Sequence, residues 1–301
     1  MATEPVILIT GVSGYLGNHL RMSLARVWPT VRVVGLARTV AAADLPIDLL
    51  DRNALSQALL TLQPDFVFHL AGTLRAATWL DFFRGNVETT INLLQLLCTL
   101  PRIPRVVIAG SAAEYGPVPS TSLPIAEDQV GAGAVSQYGI AKAWQTSASR
   151  FFAAAGLPLV TARIFNIVGP GLPETTAPGT FAAQLKRIRT GQAPPRLNVG
   201  HLESRRDYLD VSDVCDALIA LAQGGHSGEV YNICSGVPTK IRDLLDQMVA
   251  ASGVAVEINT DATRLQLGDI SDSYGSCAKI SARTGWRPRI ALATSVSAML
   301  E

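Results

Sequence analysis

With 301 residues, 48% of them apolar and 16% charged, the chain is long enough for one large α/β unit or two closely joined domains and too apolar for extended disorder. Twenty-five basic residues stand against twenty-four acidic ones, a net charge of +1, which excludes the basic excess expected of a protein that binds nucleic acid or an anionic membrane. Four widely spaced cysteines (Cys98, Cys215, Cys234 and Cys277) form neither a C-x-x-C pair nor a metal-ligand cluster, no apolar run approaches the roughly twenty residues of a membrane span, and no basic leader precedes the first apolar strand. Reduced thiols, no metal and a cytoplasmic location are the expectation.

Val6-Ile7-Leu8-Ile9-Thr10 reads as a buried parallel strand, and Gly11-Val12-Ser13-Gly14-Tyr15-Leu16-Gly17 follows it at once, before an apolar helix running towards Trp28. G-x-x-G-x-x-G between strand and helix lets the backbone turn tightly and approach a pyrophosphate, whose charge is met by the helix amino terminus. Gly11, Gly14, Tyr15, Leu16 and Gly17 are therefore cofactor-binding candidates, the alternative being a merely structural turn. The second strand, residues 31–36, leads to Arg38, where an NAD-preferring protein often carries an acid for the ribose hydroxyls. Arginine there suits a 2′-phosphate and favours NADP(H) over NAD(H), against the alternative of a solvated strand-end arginine. Asp48 and Leu49 follow a short third strand, with Asp48 placed to accept from an adenine amino group.

After a helix over residues 53–62, Asp65 to Gly72 form a fourth strand that ends in Leu70, Ala71 and Gly72 beside the expected cofactor groove, with His69 read as a packed strand residue. Residues 86–100 form a long apolar helix, and residues 105–110 a fifth strand that delivers Ser111 at its carboxyl end, where open parallel sheets place their ligands. A loop rich in proline, glycine and serine over 117–135 leads into a helix from Tyr138 to Ala155. Tyr138 and Lys142 lie four apart, on one helix face. A phenol with a reference pKa of about 10 is a poor acid–base catalyst at neutral pH, a lysine ammonium beside it favours the phenolate, and a serine hydroxyl can bind the same carbonyl oxygen. Alone the spacing fits any amphipathic surface; its neighbours give it a chemical meaning. This helix and that over 86–100 both carry apolar faces suited to a second subunit, and a homodimer is expected. A sixth strand covers 159–164, after which the β–α alternation becomes irregular and a domain boundary is expected.

Taken together, Gly11 to Gly17, Ser111, Tyr138 with Lys142, and Arg163-Ile164-Phe165-Asn166 resemble the extended short-chain dehydrogenase/reductase (NAD-dependent epimerase/dehydratase) family over essentially the whole chain. More narrowly, Gly110-Ser111-Ala112-Ala113-Glu114-Tyr115-Gly116, Arg206-Asp207-Tyr208-Leu209-Asp210-Val211, Val230 to Gly236 and Thr284-Gly285-Trp286-Arg287-Pro288 look like the GDP-4-keto-6-deoxy-D-mannose reductases. The resemblance implies an α/β fold: a doubly wound parallel sheet of Rossmann type over residues 1–164 holding NADP(H), and a smaller α/β nucleotide-sugar-binding domain over 165–301, from which segments such as 207–235 return to the first. It also implies roles. Tyr138 would give a proton to the oxygen of a sugar C4 ketone, Ser111 would bond to the same oxygen, and Lys142 would hold the ribose and tune Tyr138. Asn166 would lie near the sugar or its phosphate, with Arg206 and Arg264 facing the diphosphate.

Several residues depart from the family's patterns. Where its dehydratases carry acids just after the serine, this chain has Ala112 and Ala113, and Ala113 also replaces the cysteine of the 3,5-epimerase/reductases. Dehydration and C3/C5 epimerisation are thereby disfavoured. Ile164 stands where relatives have proline, and Leu267 takes the acidic place near Arg264, with Asp269 two residues late. Three functions stay open: NADPH-dependent reduction of a nucleotide-linked 4-keto-6-deoxyhexose, nucleotide-sugar 4-epimerisation with tightly bound NAD, and a non-catalytic NADP(H) sensor.

Overall fold

The computed structural model of the chain describes residues 4–39, 43–129, 133–260 and 272–301. Arg264, with Leu267 and Asp269, lies outside the described residues. Most strands of the large sheet are short apolar runs whose alternate side chains serve two faces, and those of the smaller part are more polar. The strands are β1 (Val6–Thr10), β2 (Arg32–Ala37), β3 (Leu45–Pro46), β4 (Phe66–His69), β5 (Arg105–Ser111), β6 (Leu159–Ile164), β7 (Asn166–Val168), β8 (Arg196–Val199), β9 (Arg205–Asp210) and β10 (Val230–Ile233). Seven of them form one sheet in the order β10-β6-β5-β4-β1-β2-β3, and every pairing in it is parallel. The strand order reverses between β1 and β4, the switch point at which doubly wound sheets open a crevice at their carboxyl edge.

Both faces of this sheet are covered. Ile7 and Ile9 of β1, Val107 of β5 and Val160 of β6 share one apolar cluster with α1 (Tyr15–Val27) and α7 (Val211–Gly224), whereas Leu8, Val106 and Leu159 point into a second cluster on the other side. That second face receives α2 (Arg52–Leu62), α4 (Thr89–Leu97) and α5 (Gln137–Ala154). The helix expected over 86–100 in fact begins earlier. It runs as α3 (Trp79–Phe83), a π-turn over Arg84–Glu88 and then α4, and Thr78 caps it by accepting the amide of Asp81 at 3.2 Å. In the π-turn the Asn86 side chain donates to the Thr73 and Phe82 carbonyls and accepts the Thr73 amide, tying the loop after β4 to the helix.

A third cluster, around Phe181, Leu185, Leu197, Tyr208, Leu244 and Met248, builds the smaller part. There α6 (Ala177–Arg189), α8 (Ile241–Ser252) and α10 (Leu292–Leu300) pack beside short strands, among them β11 (Pro238–Lys240), β12 (Glu257–Thr260) and β13 (Asp272–Ser273). β9 lies between antiparallel β11 and parallel β13 and also pairs with β7, while β12 pairs with β8. β10 leaves this part to become the edge of the large sheet beside β6.

Candidate active site

The carboxyl ends of β1, β4 and β5 meet at the switch point. Gly11 turns there with a φ of +73°, a conformation costly for any residue with a side chain, and a Cβ on it would lie 2.7 Å from the Ala71 amide nitrogen. A Cβ on Gly17 would lie 2.3 Å from the Gly11 carbonyl oxygen, so only glycines let α1 start this close to β1. At the amino end of α1, Gly14 supplies no side-chain cap and the first turn holds no acid. Its amides and the positive end of its dipole suit a pyrophosphate, and the cradle of Gly11, Gly14, Tyr15, Leu16 and Gly17 fits a dinucleotide. Leu70, Ala71 and Gly72 border it after β4, with the Leu70 amide donating to the Thr10 carbonyl at 3.2 Å. Arg38 is exposed just beyond β2. Asp48 is also exposed; one carboxylate oxygen accepts the Leu50 amide at 2.9 Å, and Leu49 beside it is buried.

Ser111 ends β5 and caps a 3-10 turn over Ala112–Glu114, its hydroxyl accepting the Ala113 amide at 3.2 Å while Glu114 reaches back to accept the Ser111 amide at 2.9 Å. The carboxylate of Glu114 is buried and receives the Arg163 guanidinium at 3.0 and 3.2 Å. Arg163 in turn lies over the Tyr115 ring, 4.3 Å from its centroid. The nearest acid to Ser111 is thus fully engaged beneath it. Ser136 caps α5 by accepting the Gly139 amide at 3.0 Å. A Cβ on Gly139 would lie 2.5 Å from the Ala113 carbonyl, so this glycine lets the start of α5 press against the serine turn and places Tyr138 beside Ser111.

Burial pushes the Tyr138 hydroxyl up to about 12; its hydrogen bond with Ser111 opposes that, and the Glu114 charge adds to it. The expectation that Lys142 would draw the phenol towards its phenolate is therefore not met in this structure, because desolvation outweighs the other influences. A protonated phenol is the form that donates. Lys142 is buried, its ammonium 5.9 Å from the centre of the Tyr138 ring, and burial holds its pKa down to about 8 against the favourable charge of Glu114.

The β7–β9 pairing sets Asn166 opposite Tyr208, and Arg206, two residues earlier on β9, shares the side of the strand that Tyr208 occupies. The Asn166 side chain donates from Nδ2 to the Asp207 carbonyl at 2.9 Å, and the charge of Arg206 opposes the burial that pushes the Tyr208 hydroxyl up to about 12. Asp207 is buried and accepts from Ser235, Gly236 and Gly275, which locks the base of this strand. A cleft of about 700 Å³ bordered by Pro5, Trp28, Phe66 and Arg105 lies at the opposite, amino-terminal edge of the large sheet, away from these groups. Among the described residues no cluster could hold a metal ion and no helix is long and apolar enough to cross a membrane.

Glu114, Arg163 and Asp207 stand in the quoted motifs without a role drawn from the sequence. The S-x-x-E spacing of Ser111 and Glu114 is a capping-box signal that could have found the first.

A doubly wound parallel sheet with a glycine cradle at its switch point and a serine, a tyrosine and a lysine at the carboxyl edge defines a nicotinamide-dinucleotide enzyme of the extended short-chain dehydrogenase/reductase class. The chain belongs to the NAD dependent epimerase/dehydratase family, whose model matches residues 7–234. It is 33% identical to the GDP-6-deoxy-D-mannose reductase of Pseudomonas aeruginosa, across 98% of this chain and 95% of that one. It is 29% identical to a UDP-glucose 4-epimerase of Azospirillum brasilense, across 96% and 88%. The solved structure of RMD from Pseudomonas aeruginosa complexed with NADPH superposes with a TM-score of 0.88 at 30% identity, covering 99% of this chain and 96% of that one.

Proposed function

We propose that the chain is a nucleotide-sugar 4-ketoreductase that uses NADPH to reduce the C4 ketone of a nucleotide-linked 4-keto-6-deoxyhexose, of the GDP-4-keto-6-deoxymannose type. One observation carries the choice of reaction. Beside Ser111, among the described residues, Tyr138 in its protonated form is the group able to pass a proton, because Ala112 and Ala113 are inert and Glu114 is bound by Arg163 and the Ser111 amide. Elimination or C3/C5 epimerisation needs further acids and bases; reduction of one ketone needs only this donor. The likeness to the Pseudomonas reductase and to RMD solved with NADPH supports the same reading, as does Arg38 just beyond β2.

NADPH, held in the cradle of Gly11, Gly14 and Gly17, would supply the hydride. Ser111 and Tyr138 hydrogen-bond the ketone oxygen and hold it in one orientation, and Tyr138 gives its proton to that oxygen as negative charge develops. Lys142, whose ammonium sits 5.9 Å from the centre of the Tyr138 ring, has the donors to hold the nicotinamide ribose beside the phenol. Arg206 grips the diphosphate and Asn166 the neighbouring sugar, so the remote part of the substrate fixes the ketone over the trio. Trp79, Leu80, Phe83, Trp144 and Phe151 expose large apolar surfaces on α3 and α5, the faces through which the chain forms a homodimer.

Purified protein should consume NADPH with a GDP-, dTDP- or CDP-linked 4-keto-6-deoxysugar, and Tyr138→Phe should lose about 10²–10⁴-fold in kcat while still binding NADPH. No consumption across that panel sinks the reductase reading. The likeness to UDP-glucose 4-epimerases keeps a second one: a 4-epimerase built on the same trio, which would purify with NAD bound and interconvert sugars without net NADPH loss. A non-catalytic sensor would tolerate Tyr138→Phe.

A further inference from the structure

Lys142 does not hang free in its pocket. Its ammonium donates to the Ala109 carbonyl at 2.8 Å and to the side-chain oxygen of Gln145 at 2.9 Å. An ammonium has only donors, so the Gln145 oxygen must face it, and the amide nitrogen then points the other way, donating to the Thr90 hydroxyl at 2.8 Å. Thr90 spends its own proton on the Asn86 carbonyl at 2.6 Å. Its remaining capacity is to accept, which makes His69 Nε2, 2.8 Å away, a donor. On that tautomer Nδ1 carries no proton and accepts the Thr10 hydroxyl at 2.7 Å, while Thr10 Oγ1 accepts the Ala71 amide at 3.4 Å. Thr10, His69, Thr90 and Gln145 are all fully buried, so water cannot substitute for any of these partners. The row runs without a break from Lys142 to the residue that precedes Gly11.

We propose that Gln145 is a positioning residue for Lys142, its amide held in a single orientation by Thr90 and by the Nε2–H tautomer of His69. The inference rests on Lys142 serving the reaction described above. A lysine ammonium is a point charge on a flexible four-carbon stem; with the Ala109 carbonyl alone it could swing, and a second fixed acceptor defines where its charge sits. The charged and titratable groups that face it are few. They are Tyr138 one turn earlier on α5, Glu114 from the serine turn with its partner Arg163 on β6, and His69 from β4, whose imidazole is kept neutral by burial and by the lysine itself. The π-turn and α4 contribute only neutral Asn86 and Thr90. Among the described residues Gln145 is the one side chain that accepts from Lys142, beside the Ala109 backbone carbonyl.

The chain has four lysines, Lys142, Lys186, Lys240 and Lys279, so carbon-13 labelling at lysine Cε gives a spectrum in which the Lys142 ionisation can be followed by NMR on the whole protein without turnover. Lys142 should titrate near 8, well below the ordinary lysine value of about 10.4. Gln145→Met should move its midpoint lower by about one unit, the loss of one charge-assisted hydrogen bond. Thr90→Val should move it the same way by freeing the amide, and Thr90→Ser should restore it. A midpoint unmoved in folded Gln145→Met and Thr90→Val overturns the proposal. Should those variants fail to fold, nitrogen-15 histidine signals of the unaltered protein decide instead: the proposal requires a neutral Nε2–H ring at His69, and an Nδ1–H or charged ring contradicts it. If the midpoints move as expected but Lys142→Met still consumes NADPH at the wild-type rate, the linkage stands and the reading of Lys142 as part of the reductase fails.

Discussion

The Arg163 guanidinium lies 3.0 Å from one oxygen of the buried Glu114 carboxylate, and the other oxygen accepts the Ser111 amide at 2.9 Å. Two strands and the serine turn are thereby locked by one ion pair placed directly under the proposed oxygen-binding group. Removing one partner of a buried pair leaves a charge without compensation, at a cost of about 3–5 kcal/mol. Glu114→Ala should destabilise the fold by that order in denaturant unfolding, and Glu114→Met combined with Arg163→Met should regain much of the loss. A single-variant loss under about 1 kcal/mol would show the pair to be incidental.

His69 gives the protein an acid sensitivity with a definite window. Burial and the Lys142 charge hold its pKa down to about 3 from an ordinary 6.5. Between those values the unfolded chain takes up a proton that the folded one refuses, so stability falls as pH drops from 6.5 towards 3, at about 1.4 kcal/mol per unit. His69→Gln should flatten that part of the stability curve. An unchanged slope would mean that other groups govern acid unfolding.

Arg38 separates the two dinucleotides. If its guanidinium pairs with a 2′-phosphate, Arg38→Ala should raise KM for NADPH by about 10- to 100-fold, the worth of a charge-assisted hydrogen bond, and leave KM for NADH within a factor of about two. Equal effects on both cofactors would remove Arg38 from cofactor choice.

Trp144, half exposed on α5, packs edge-on to Phe83 of α3 with ring centres 6.0 Å apart, and Phe151 is 69% exposed two turns further along the same face. Trp144→Glu should shift sedimentation from dimer to monomer with the secondary structure retained. A monomeric wild type would leave this apolar surface without the proposed partner.

The trio was legible because its parts are local: a glycine loop after a strand, a serine at a strand end, and a tyrosine and lysine one helical turn apart. The large sheet was legible for a similar reason, since its buried parallel strands are continuous apolar runs. The chain did not announce where the first long apolar helix begins, because Phe82, Phe83 and Gly85 straddle a π-turn that interrupts the helical period, although Thr78 and Asp81 carry a cap signal. Short strands such as Arg205–Asp210 show no alternation, being polar and fixed by partners distant in sequence. Cys234 and Cys277, widely spaced in the chain, pack in one cluster, where a hydrogen bond between them holds the Cys277 thiol down to about 6. The support of Lys142 was equally hidden. Gln145 is three residues away on the same helix, but Thr90 is 55 residues from it on α4 and His69 ends strand β4.

The most direct test of the reductase account is to supply NADPH with both nicotinamide C4 hydrogens replaced by deuterium, together with GDP-4-keto-6-deoxymannose, and to locate the label by NMR. Ketone reduction at the Ser111, Tyr138 and Lys142 site predicts one deuterium at C4 of the sugar for each NADPH consumed, and none with Tyr138→Phe on the same time scale. A product that forms without deuterium at C4, or no product with any of the GDP-, dTDP- and CDP-linked ketones, would contradict it.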